Sequence, residues 1–109
     1  MQESDLTDRE KLKIETLLSI LETHKGHAEA ISMTKLGEMM QLSDKPLKEL
    51  IHDAVVVFHS PIVGDNNGYY LAETAEEVTD HLVILKSRKT ATQERYKAML
   101  AISKDFSKR

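Results

Sequence analysis

Apolar residues recur along this chain with two periods, and the changes of period divide it into elements. From Asp8 to His24 they fall at Ile14, Leu17, Leu18 and Leu21, the stripe of an amphipathic helix. Thr7 or Asp5 can cap its start, His24 and Lys25 suit the negative end of its dipole, and Gly26 stops it. Ala28 to Ile31 is expected as a loop with a brief strand. Ser32 then caps a second helix running to about Gln41, with Leu36, Met39 and Met40 turned inward. Gly37 in its interior costs about 1 kcal/mol relative to alanine, which a close helix–helix approach would explain. Ser43 caps a third helix. Asp44 stands in its first turn, and Pro46 takes the third position, whose N–H has no partner in the helix anyway. The stripe of this helix is Leu47, Leu50, Ile51, Ala54, Val55 and Phe58. The Val55–Phe58 run is expected in the core, with a protein interface as the alternative.

The period then shortens. Pro61-Ile-Val63 and Tyr69-Tyr-Leu71 flank Gly64-Asp-Asn-Asn-Gly68, which predicts a β-hairpin whose turn residues tolerate positive φ. Alternation on the second strand sends one of Tyr69 and Tyr70 to the core and leaves the other exposed. Thr74-Ala-Glu-Glu77 is a capping box that opens a long last helix, reaching about Ser103 in a stretch without proline or glycine. The fold class is therefore mainly α with a small β-hairpin: a winged helix-turn-helix over residues 1–73, then a long C-terminal helix over 74–109.

Composition narrows the classes of function. At 109 residues the chain suits one domain, and with no cysteine it has no disulfide framework and no thiolate metal site. No apolar run approaches the roughly 20 residues that span a bilayer, so no membrane partner and a cytoplasmic location are expected. The net charge of −3 is split. Residues 1–85 carry 7 Lys/Arg against 16 Asp/Glu, and residues 86–109 carry 8 against 2. The mean argues against a nucleic-acid partner, whereas the basic end suits a polyanion or a solvated helix face.

Ile31-Ser-Met-Thr-Lys-Leu-Gly-Glu-Met-Met-Gln-Leu-Ser43, Pro46-Leu-Lys-Glu-Leu-Ile51, Ser60-Pro-Ile-Val63 and Gly68-Tyr-Tyr-Leu-Ala72 together resemble a biotin-repressor-type winged helix-turn-helix. With Glu-Glu-Val78 and Leu-Lys-Ser-Arg88 downstream, the chain is most similar to small phage and prophage proteins in which a long helix follows the wing. The resemblance implies binding of double-stranded DNA in transcription control or phage replication, inside a bacterial host. It implies a reading helix with Ser43, Lys45, Lys48, Glu49 and His52 at the major groove, and backbone contacts from Ser32, Thr34 and Lys35. Asn66 and Asn67 at the wing tip would meet a minor groove or phosphates. Lys86, Arg88 and Lys89 would add phosphate contacts.

Some positions depart from that family. Gln41 stands where the turn often has glycine, His52–His59 is apolar where relatives carry arginine and glycine, and the wing tip has Asp65 but no lysine or arginine. Asp44, Glu49 and Asp53 accompany the two lysines. These acids keep a second reading open, a protein-interaction module on the same scaffold. In the last helix Val78, Leu82, Leu85, Lys89, Thr92, Tyr96, Met99, Ser103 and Phe106 fall at alternating spacings of four and three, a heptad-like seam. Its apolar members Val78, Leu82, Leu85, Tyr96, Met99 and Phe106 are the expected interface of a homodimer, the alternative being a helix that packs on its own domain and frays. His24 and His27 lack a local third ligand, and no phosphate loop, nucleophile elbow or zinc-protease motif is present. No metal, no cofactor and no catalytic residue are expected.

Overall fold

Thr7 opens the first helix. In the computed structural model, which describes residues 2–107 and side chains as far as Lys104, the Thr7 hydroxyl accepts from the Glu10 N–H at 3.1 Å. The Glu10 carboxylate in turn accepts from the Thr7 N–H at 3.0 Å. This reciprocal cap satisfies donors that a helix start leaves open. The bond from the Thr7 backbone also holds the Glu10 carboxyl below its ordinary range. Helix α1 covers Asp8–Leu21, ending before the predicted His24. A turn follows, then one turn of 3₁₀ helix at His27–Glu29 where a plain loop is expected, and then Ile31 in a short bridge.

Helix α2, Met33–Met40, is capped by the Ser32 hydroxyl, which accepts from the Lys35 N–H at 3.1 Å. It ends on Gln41 in the left-handed conformation (φ 57°, ψ 43°), and the Leu42 N–H closes back onto the Gly37 carbonyl at 2.9 Å. That is the ordinary glycine-type stop, made here with glutamine at about 1–2 kcal/mol of strain. Glycine is needed one turn earlier instead. A Cβ on Gly37 would lie 2.8 Å from the Leu42 carbonyl oxygen. The close approach is therefore of the turn's own backbone, not of another helix. Leu36 is fully buried, and Met33 and Met40 pack against the core, but Met39 is 52% exposed, contrary to its expected inward position.

Helix α3 covers Asp44–Phe58. Ser43 sits at its N-cap in extended backbone, yet its hydroxyl makes no cap hydrogen bond, so the predicted capping role is not realised. Strands β1 (Ile62–Asp65) and β2 (Gly68–Leu71) pair antiparallel, with Ile62 opposite Leu71 and Gly64 opposite Tyr69. The turn works differently from the asparagine-glycine expectation. Asn66 and Asn67 keep negative φ, and only Gly68 turns positive, at 128°. A Cβ there would come within 2.0 Å of the Ile31 carbonyl oxygen. The far side of β2 is occupied too. Tyr69 and Ile31 exchange two backbone hydrogen bonds of 2.8 and 2.9 Å, the Leu71 N–H donates to His24 O, and the Gly26 N–H donates to Leu71 O. Neither tyrosine is left exposed: Tyr70 is buried and Tyr69 half-buried against the core, its ring over Gly64.

Helix α4 covers Ala75–Ser107, one turn past the predicted end. Thr74 accepts from the Glu77 N–H at 3.2 Å, as a capping box requires. The Glu77 carboxylate reaches back further, accepting from the Glu73 N–H at 2.7 Å and the His27 N–H at 2.8 Å. These bonds, Glu73 first, hold its carboxyl below the ordinary value of 4.5. The architecture is thus mainly α with a small hairpin and a long C-terminal helix. It falls into two compact units, one up to Val78 and one from Thr79. The core of the first joins Ile14, Leu17 and Leu21 of α1, Leu36 of α2, Leu47, Leu50, Ile51 and Ala54 of α3, and Ile62 and Leu71 of the hairpin. Among the described residues no helix is long and apolar enough to cross a membrane.

Two outcomes follow from this geometry. Gly68→Ala is expected to lose more than about 3 kcal/mol, because backbone strain and a backbone clash coincide. Chemical denaturation checks this, and a loss below about 1 kcal/mol would refute the close approach. Glu77→Gln is expected to unfold at lower urea than the parent in neutral buffer. A depressed carboxyl contributes stability that is complete above its ordinary value of 4.5 and is lost as pH falls through the lower folded value. The gap between the two proteins should therefore close in acid below 4.5, and a gap of constant size there would contradict the bonding of Glu77.

Candidate nucleic-acid interface

Helix α3 has two unlike sides. Leu47, Leu50, Ile51 and Ala54 face the core, and the opposite side presents Lys45, Lys48, Glu49 and His52, all exposed. Among the described residues no carboxylate pairs with either lysine. The first turn adds backbone N–H groups without helical partners and the positive end of the helix dipole, an arrangement that attracts anions. The Ser43 hydroxyl, not used as a cap, stands at the same end. Asp44 opposes it, an exposed carboxylate in that first turn. Its field is felt by Tyr69 of the hairpin, whose phenol is pushed up, first by burial and then by the Asp44 charge.

The structure brings several of the sequence candidates together. Thr34 of α2 and Ser43 and Asp44 of α3 line one open groove along the turn, with Glu38 and Gln41 between them. Ser32 is committed to capping Lys35, while Thr34 and Lys35 are exposed. The hairpin abuts the start of α2, since a Cβ on Gly68 would lie 2.9 Å from the Ser32 Cα. Asn66 and Asn67 are exposed at the tip. Lys86, Arg88 and Lys89, also exposed, belong to the second unit.

Asp65 has a role that was not foreseen. One carboxylate oxygen accepts from the Asn67 N–H at 2.7 Å, and the other lies 3.1 Å from His27 Nε2. The acid at the hairpin tip is thus engaged inside the fold rather than presented outward. Its position two residues before Asn67, the spacing of an aspartate turn, is a signal the sequence contains. His27 also meets the Tyr70 ring edge-on at 5.7 Å, and His24 Nδ1 donates to the Glu29 carbonyl at 2.8 Å. Both histidines serve the fold.

No family model, no curated protein and no solved structure matches this chain.

Part of that surface is apolar. Val55, Val56 and Phe58 stay 37–41% exposed, and only Val57 of the run packs against the core. The expectation of a core cluster is therefore corrected: the helical period turns Val56 away from the Leu47, Leu50 and Ala54 side of α3 and leaves Val55 at its margin. Val55 and Val56 continue the same side as Lys45, Lys48 and His52. A further exposed pair went unnoticed in the sequence, Leu12 and Met39, which share an open groove with Arg9 and Lys13. On α4 the seam residues Val78, Leu82, Leu85, Tyr96 and Met99 are all exposed, and the side chain of Phe106 lies outside the described residues.

The two sides of α3 should respond differently to substitution. Leu47→Ala is expected to cost about 2–5 kcal/mol, as buried leucine truncations do. Val56→Lys, one helix turn from the end, should change stability by less than about 0.5 kcal/mol. Urea denaturation of both variants decides, and a loss of about 2 kcal/mol at Val56 would return that residue to the core.

Proposed function

We propose that this chain is a winged-helix protein that binds duplex DNA, of the kind phages and prophages use to control transcription or replication in the cytoplasm of a bacterial host. The observation that carries this reading is the side of α3 away from the core. Lys45, Lys48 and His52 stand exposed on the second helix of a tightly linked pair, next to an uncommitted serine hydroxyl at its N-terminus. A reading helix presents such residues to base edges and phosphates. The hairpin set against the start of α2 supports it as a wing, with Asn66 and Asn67 as donors at its tip. The Asp65 carboxylate is turned onto His27 and the Asn67 N–H rather than outward from the tip.

A second reading is favoured by one observation, the exposed Val55 and Val56 on the same side of α3, together with Glu49 and Asp44. A DNA-reading helix has little use for an apolar second half, whereas a protein interface centres on one. In that case the scaffold serves protein–protein interaction.

Gel shift with mixed duplex DNA at about 50 mM salt separates the two, because phosphate-driven binding is strongest there and falls steeply as salt rises. Lys48→Glu is expected to weaken binding at least about tenfold, and Lys13→Glu, the same charge reversal on α1, by less than about twofold. Absence of any duplex binding at that salt refutes the DNA reading and leaves the protein-interaction reading in place.

A further inference from the structure

We infer that a second copy of this chain covers the apolar seam of α4, with the two helices antiparallel about a point between Thr90 and Ala91. The seam has the exposure of an interface without its partner: Leu82 is 59%, Tyr96 68% and Met99 58% exposed, and Leu85 and Leu100 are exposed beside them. Such a stripe belongs against another apolar surface.

The order of residues sets the direction in which a second copy fits. Leu82, Leu85, Lys89, Thr92, Tyr96 and Met99 stand at intervals of three, four, three, four and three, a series that is the same in either direction. An antiparallel copy therefore sets Leu82 against Met99, Leu85 against Tyr96, and Lys89 against Thr92, twice over. Within these six positions every apolar residue meets an apolar one and each ammonium meets a hydroxyl, while further out Val78 meets Ser103. A parallel copy in register would stack Lys89 on Lys89, a like-charge layer inside the seam, and polar residues there are what set register and direction.

The area is sufficient, though not large. Leu82, Leu85, Tyr96, Met99 and Leu100 from each copy, at on the order of 100 Å² of apolar surface apiece, bring about 1,000 Å² together. That is the lower edge of a specific interface, about 1,000–1,200 Å². The aliphatic stems of Lys89 and Arg88 add to it.

The charges oppose the association. Arg88 and Arg95 flank the seam on one side, so Arg88 of one copy meets Arg95 of the other, and Lys86 and Lys89 crowd the same middle section. Apolar burial therefore holds the pair against repulsion between like charges. Salt screens that repulsion, so the dimer tightens as salt rises. DNA binding changes in the opposite direction, which keeps the two properties separable in experiment.

Sedimentation of the full chain without DNA tests this at about 100 µM, well above a micromolar dissociation constant. A dimer is expected, with a dissociation constant at least about threefold lower at roughly 0.5 M than at 0.05 M salt, as the Debye length shrinks from about 14 to about 4 Å. Leu85→Asp, with helix content checked by circular dichroism, should be monomeric. Direction is read with single cysteines, since the chain has none of its own. In the antiparallel pair the two copies of position 82 are about 25 Å apart along the axis, beyond disulfide reach. A mixture of Leu82→Cys and Met99→Cys should therefore oxidise to a mixed dimer, and neither variant alone should cross-link. A monomer at this concentration, a dimer that weakens with salt, or ready cross-linking of Leu82→Cys with itself overturns the inference.

Discussion

The close contact of Gly68 with Ile31 is the constraint on which the first unit depends. With no side chain at Gly68, two stretches of backbone approach until Tyr69 and Ile31 exchange hydrogen bonds of 2.8 and 2.9 Å. Ile31 is buried in the core, and the next residue, Ser32, caps α2. One contact thus sets the hairpin, the start of α2 and, through the three-residue turn, the start of α3. Glu77 ties the exit of the hairpin to the same region by accepting from Glu73 and His27. The elements that would form a DNA-binding face are therefore held by backbone bonds rather than by side chains on that face.

Charge is distributed unevenly at every scale of this molecule. The chain as a whole is mildly acidic, yet its last 24 residues are strongly basic. At the first turn of α3, Lys45, the helix N-terminus and the Asp44 carboxylate stand together, while along the same helix the outward side changes from cationic to apolar. The net charge says little about such a surface. What decides is which charges are already engaged: Asp65 is held by His27 and a backbone N–H, whereas Lys45 and Lys48 are not paired among the described residues.

The periodic parts of the fold were legible in the sequence because burial and period are the same physical fact. Ile14, Leu17 and Leu21, or Leu47, Leu50, Ile51 and Ala54, could only be one side of a helix. Caps with reciprocal chemistry, Thr7 with Glu10 and Ser32 with the Lys35 N–H, were readable for the same local reason. The exposure of Val56 follows from the same period, which turns it away from Ala54, whereas that of Phe58 and Met39, on the apolar sides of their helices, was not legible. Gln41 at the glycine position of the turn was visible in the sequence and is left-handed in the structure, whereas the tight approach of Gly37 to the Leu42 carbonyl was not, because a close helix–helix contact was expected there. Of the candidate site, the exposed side of α3 and the tip asparagines emerged as expected. The inward engagement of Asp65 needed His27 to arrive from 38 residues away, a separation no local pattern reports.

The pairing of β2 on both sides has a consequence for behaviour at high concentration. A strand at a sheet margin is a template for another chain, and such templates seed fibrils. Here β2 is interior, flanked by β1 on one side and by Ile31 and the His24–Gly26 backbone on the other. The open margin that remains is β1, only four residues long, preceded by Pro61 and carrying Gly64 beneath a tyrosine ring. Short length, a residue with no N–H and a weak strand former make that margin a poor template. The hairpin is in this way a poor seed for strand addition, although the chain exposes valines on α3.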